Sequence, residues 1–118
     1  MEKHYEELID RVRFRLDDLD TQNQEFDNEY IKGHIRNNME SYGYDFPLED
    51  SRDKQLIVVE TLIDIVTALK VWADGESYSY KNDAIQITRG LMSKHFQDTI
   101  NLLKEERNKI IGLGRGFA

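Results

Sequence analysis

The sequence predicts an all-α fold, an antiparallel bundle of about four helices with a small β-ribbon between the third and fourth helices and a flexible C-terminal arm. Three observations predict it. Apolar side chains recur at three- and four-residue intervals in four separate stretches. Between the last two stretches stands a polar, tyrosine-rich excursion, Asp74 to Thr88, that alternates like a strand and turns at Asn82-Asp83. The final residues, Gly112 to Ala118, then alternate glycine with Leu, Arg and Phe. One domain is expected over residues 1–111, with the ribbon at about 77–88, followed by an arm at 112–118.

In the first stretch Tyr5, Leu8, Ile9, Val12, Leu16 and Leu19 fall on one helical face. Phe14 lies off that face among Arg11, Arg13 and Arg15, so it is either a second contact surface or a ring covered by arginine stems. The polar run Asp20 to Glu25 reads as a loop. A second helix should start at Asp27, whose carboxylate can cap free amides, with Phe26 and Ile31 in staple positions. Tyr30, Ile31, His34, Ile35, Met39 and Tyr42 continue its apolar face, and Gly43 stands where a left-handed cap is wanted. Gly33 inside this helix costs about 1 kcal/mol relative to alanine, which either close approach of a neighbouring helix or simple tolerance would explain.

Around Pro47 the chain should be extended before a third helix, roughly Asp53 to Ala73. Leu56, Ile57, Val58, Val59, Leu62, Ile63, Ile65, Val66, Leu69, Val71 and Trp72 cover most of its circumference, so it should be surrounded by the others. Lys54, Glu60, Asp64 and Lys70 argue against a membrane span, and no membrane partner is expected. Glu60 and Asp64 lie one turn apart on a narrow polar stripe. They are either a solvated edge or partners for a cation, and Arg13, Glu60 and Asp64 are the candidates for ion pairs between subunits. After the ribbon, Met92, Phe96, Ile100, Leu103, Ile110 and Ile111 stripe a long fourth helix that should stop at Gly112. The glycine-rich end is either frayed or a docking arm, with Leu113 and Phe117 as anchors and Arg115 as a charge contact.

A net charge of -7 argues against nucleic-acid binding as the main task, since phosphate recognition needs clustered Lys and Arg. The 39% hydrophobic content is low for a small domain that buries everything alone, which leaves part of its stability to partners. With no cysteine there is no disulfide frame and no thiolate chemistry, in keeping with a cytosolic protein, and the start of the chain lacks the apolar stretch of a signal peptide. An enzyme is not expected. His4 with Glu7 and His95 with Asp98 have metal-ligand spacing, but two ligands make no site without convergence from elsewhere. No Glu-x-x-His pair, phosphate-binding loop or nucleophile elbow occurs, so neither catalytic residues nor cofactors are assigned.

The order of elements supports a more specific reading. A first helix ending Val12-Arg13-Phe14-Arg15-Leu16-Asp17-Asp18, a capped helix opening Phe26-Asp27-Asn28-Glu29-Tyr30-Ile31, a hydrophobic third helix, a Tyr-Ser-Tyr ribbon leading to Ile85-Gln86-Ile87-Thr88 and a last amphipathic helix together resemble the head-tail connector, or adaptor, proteins of tailed bacteriophages. The resemblance covers most of the chain and implies a structural virion protein of the phage neck, assembled in the host cytoplasm. Such a protein forms a ring, commonly a dodecamer of its own copies, that binds the portal protein, extends the DNA channel and receives the stopper or tail-completion protein. Genomic DNA would pass through the lumen without specific binding, which suits an acidic wall. The portal-binding arm would be Leu113, Arg115 and Phe117, and Tyr78, Tyr80, Ile85 and Ile87 would meet a neighbouring subunit or the next ring. The alternative is a small helical adaptor or regulator that forms no ring. A helix-turn-helix DNA binder is disfavoured, because Arg11, Arg13 and Arg15 are its only local basic cluster.

Overall fold

The computed structural model describes the backbone of residues 2–18, 26–76 and 83–115, with side chains described within 3–16, 26–71 and 93–112. Among the described residues the chain is all helical, with α1 (Glu2–Asp18), α2 (Asn28–Tyr42), α3 (Ser51–Glu76) and α4 (Asp83–Arg115) and no strand. The expected loop Asp20 to Glu25, Leu19 and the ribbon residues 77–82 lie outside this set.

Consecutive helices run in opposite directions. Arg13 of α1 reaches Asn28 at the start of α2, while Lys32 of α2 lies over the Tyr5 ring, so α1 and α2 are antiparallel. His34 and Asn38 meet Asp64, and Tyr42 meets Glu60, which sets α2 against α3 in the same sense. α3 and α4 form a long hairpin. α4, at about 1.5 Å per residue, is about 50 Å long and accounts for the 51 Å greatest extent of the molecule.

α3 is the centre because its sequence leaves it little solvent face. Leu56, Ile57, Val58, Val59, Leu62, Ile63, Ile65, Val66 and Leu69 are all buried. α1 adds Leu8, Ile9, Val12 and Leu16, α2 adds Ile31, Ile35 and Met39, and α4 adds Phe96, Ile100, Leu103 and Ile110, each at the helical spacing read in the sequence. Val71 departs from the expected stripe and is exposed. The α2 ends form as their residues dictate. The Asp27 carboxylate accepts from the Tyr30 amide at 2.8 Å. Gly43 takes a left-handed φ of 68° while the Gly43 and Tyr44 amides donate to the Glu40 and Met39 carbonyls. Beyond it Phe46-Pro47 is a cis peptide, and Phe46 stacks against His4 and meets Tyr5 edge-on.

Gly33 is not a close-approach site, since a Cβ there would meet nothing within 4 Å. Gly33→Ala is therefore expected to raise stability by about 1 kcal/mol through helix propensity, measured as a higher urea midpoint at unchanged slope. A lower midpoint would reveal a backbone demand that the open space does not show.

Three boundaries correct the sequence reading. The expected ribbon gives way at 83–88 to the first turns of α4, so Ile85 and Ile87 stand on a helix, and α3 extends past Ala73 to Glu76. Ile85 and Ile87 alternate by two, but Ala84, Ile87 and Leu91 also recur by three and four, and so short a window satisfies both periods. Continuing an existing helix adds a hydrogen bond per residue without a new nucleus, whereas an isolated polar ribbon is marginal. Likewise α4 does not stop at Gly112 but continues through Leu113 to Arg115. Gly112 and Gly114 each cost about 1 kcal/mol, too little to end a helix already anchored by Ile110.

Candidate functional site

Two features stand out once the helices are placed, a polar seam between α2 and α3 and an open groove between α1 and α4. The seam collects the acidic stripe of α3. Asn38, buried on α2, donates through its amide to Thr61 Oγ1 at 3.2 Å and to Asp64 Oδ2 at 3.0 Å. His34 Nδ1 lies 3.6 Å from the same Asp64 oxygen and meets the Tyr30 ring edge-on. One turn away, Glu60 Oε1 accepts from the Tyr42 hydroxyl at 3.0 Å and lies 3.5 Å from Arg107 Nη1 of α4. Glu60 and Asp64 thus have partners within the chain, and the cation beside Glu60 is Arg107. Arg13 is engaged elsewhere: its guanidinium donates to Asn28 Oδ1 at 2.6 and 2.9 Å and to the Phe26 carbonyl at 2.6 Å, fixing the entry to α2.

The seam sets its own electrostatics. Burial first, and the Glu60 bond second, push the Tyr42 phenol up to about 12 from an ordinary 10.0. Burial and the Asp64 charge likewise raise Tyr30, and burial with the Asp53 bond raises Tyr44, whose hydroxyl donates to Asp53 at 3.1 Å. A raised phenol means that the fold favours the neutral form. Its contribution is complete below the unfolded value of 10.0 and is lost as pH rises toward about 12. Tyr42→Phe should therefore lose less stability than the parent across that window, read from urea midpoints in a pH series, and equal slopes would count against the Tyr42–Glu60 bond. The opposite sign holds at Glu7, whose carboxyl the Lys54 ammonium holds below its ordinary 4.5; that contribution is present above 4.5 and lost as pH falls through the lowered value.

The groove lies over α3. α1 and α4 both lean on α3 without packing on each other, and Arg15 spans the gap by donating to both carboxylate oxygens of Glu106 at 2.8 and 3.1 Å. Beside this bridge is a cleft of about 390 Å³ floored by Val58 and Val59, walled by Phe14, and edged by Asp10, Arg11, Arg15, Gln55 and Glu106. Phe14 is 69% exposed, so its ring is not covered by arginine stems as one reading of the sequence allowed.

Of the residues singled out in the sequence, the structure brings Glu60 and Asp64 together with α2 and sets Arg13 apart from them. Leu113 and Arg115 stand on the last turn of α4, while Tyr78, Tyr80 and Phe117 lie outside the described residues. The sequence reading missed Asn38, Arg107 and the Arg15–Glu106 bridge. Asn38 had a signal, being a polar residue three positions after Ile35 within the buried face of α2. Arg107 had none, because its partner is remote in sequence.

His4 stacks on Phe46 and His95 lies beside Phe96. Among the described residues no three His, Asp or Glu side chains converge to hold a metal ion, and no helix is long and apolar enough to cross a membrane. Comparisons with protein-family models, curated proteins and solved structures find no match to this chain.

Proposed function

We propose that the chain is a structural protein of a tailed-phage neck, whose copies form a ring that binds the portal, extends the DNA channel and joins the head to the tail or stopper. The observation that carries this reading is where the ionisable groups are used. Glu7, Arg15, Glu60, Asp64, Glu106 and Arg107 are taken up in holding helices together, Asp53 ties the α2–α3 connection to α3 through Tyr44, and the cleft that remains open has an apolar floor and an exposed aromatic wall. Such a body offers contact surface to other proteins rather than reacting groups. The net charge of -7 supports the same reading, since an acidic wall lets phosphate slide past. In this assembly Leu113, Arg115 and Phe117 dock on the portal, and Tyr78 and Tyr80, with Ile85 and Ile87 following on α4, face a neighbouring subunit.

The test is cosedimentation with portal rings encoded in the same genome, comparing the full chain with one ending at Ile111. That truncation keeps the buried Ile110 and the partly buried Ile111, so the bundle should survive it. Saturable binding by the full chain and its loss on truncation is the expected result. Binding by neither form would remove the portal assignment and favour an adaptor that forms no ring.

A further inference from the structure

We infer that the groove between α1 and α4 of one copy receives the exposed face of α2 and α3 of a second copy, with Val71 seated beside Phe14 and Asp64 facing Arg11. The inference deepens the ring reading above and rests on it, naming the two surfaces by which one subunit holds the next.

The occupant is set by where hydrophobic side chains are left open. Among the described residues the large hydrophobic side chains that stay exposed are Phe14, Tyr30, Val71 and Leu102. They fall on two sides of the bundle. Phe14 walls the groove, and Leu102, one turn before Glu106, stands on the same edge of α4 as the carboxylate that bridges to Arg15. Val71 is on the other side: at about 100° per residue it stands about 160° around α3 from Gln55 on the groove rim. Tyr30 belongs with Val71, because its ring meets His34, His34 lies beside Asp64, and Asp64 is two turns before Val71 on the same face of α3.

The charges sort in the same way. Glu7 is shared by Arg11 at 3.1 Å and Lys54 at 3.2 Å, two cations on one carboxylate, so Arg11 keeps charge for a further partner. Asp64 accepts from the Asn38 amide and lies 3.6 Å from His34, with no Lys or Arg partner among the described residues. A carboxylate has room for additional donors, which makes Arg11 and Asp64 complementary across a contact between copies. The groove, at about 390 Å³, is the concave member of the pair and takes a few side chains from the opposing helix. Because the two surfaces lie on opposite sides of one chain, the contact runs head to tail and closes into a ring or continues as a filament, whereas groove against groove would stop at two copies.

Sedimentation velocity of the full chain over a range of concentrations, without portal, tests this with variants at two exposed positions, Phe14→Asp and Val71→Asp. Wild type should associate beyond two copies. Each variant alone should associate at least about tenfold more weakly while its melting curve stays in place. Mixed together, the two should form a one-to-one pair and nothing larger, since the first keeps the α3 face and the second keeps the groove. Arg11→Glu should weaken association of the otherwise unchanged chain. A wild type that stays monomeric or stops at two copies, any of these variants associating like wild type, or a mixture that yields no pair would each overturn the inference. Portal rings are absent from this assay, so its outcome is separate from that of the cosedimentation.

Discussion

Phe96→Ala is expected to destabilise the protein by about 3 to 5 kcal/mol, a large part of the roughly 5 to 15 kcal/mol that holds a domain of this size folded. The ring is 1% exposed and sits in the core where α4 packs on α3. Its loss removes the transfer free energy of the side chain and leaves a cavity that two long helices cannot close without bending. Ile63→Ala, on the α3 side of the core, should cost about 2 to 5 kcal/mol by the same mechanism. The control is Leu102→Ala on the same α4: Leu102 is 66% exposed, and its truncation should change stability by no more than about 0.5 kcal/mol. Urea denaturation of the three variants reads all of these. If Phe96→Ala melted like the parent, the packing of α4 on α3 described above would be wrong.

The helical bundle was legible where local chemistry and long-range burial agree. Asp27 and Gly43 announce the ends of α2 because capping is a property of a few neighbouring residues, and the same residues cap it in the fold. The apolar girth of α3 announced a central helix because only surrounding elements can cover it. Reading failed where two local preferences were nearly equal. The stretch 83–88 fits a period of two as well as one of 3.6, and what decides between them is a helix already running through Phe96 and Ile100. Gly112 misled in the same way, since a local cost of about 1 kcal/mol was read as a stop signal.

The groove was illegible for a different reason. Phe14 could be recognised as lying off the apolar face, but its setting depends on the separation of α1 and α4, which no local pattern encodes. The Arg15–Glu106 bridge that spans this separation joins residues from opposite ends of the chain. Charge patterning along a single helix shows only neighbours three and four residues apart, so it detects Glu7 with Arg11 and not this pair. The acidic stripe of α3 was visible, yet its partners lie on α2 and α4, and the choice between a solvated edge and a paired one was therefore open until the helices were placed.

Asn38→Ala is expected to cost about 1 to 3 kcal/mol, more than its size suggests, because one amide group serves two buried or half-buried acceptors. Thr61 Oγ1 is fully buried on α3 and Asp64 Oδ2 lies 3.0 Å from the same amide nitrogen. Removing the donor leaves the buried Thr61 hydroxyl without this bond, whereas the Asp64 carboxylate, 37% exposed, keeps His34 and solvent, so most of the cost falls at Thr61. A cycle of Asn38→Ala, Asp64→Ala and the double variant isolates the bond from the packing change. The double variant should be less destabilised than the sum of the two singles, with a coupling of about 0.5 to 3 kcal/mol. Additive losses would mean that the Asn38–Asp64 bond contributes nothing measurable, leaving the cost of Asn38→Ala to the Thr61 bond and to packing.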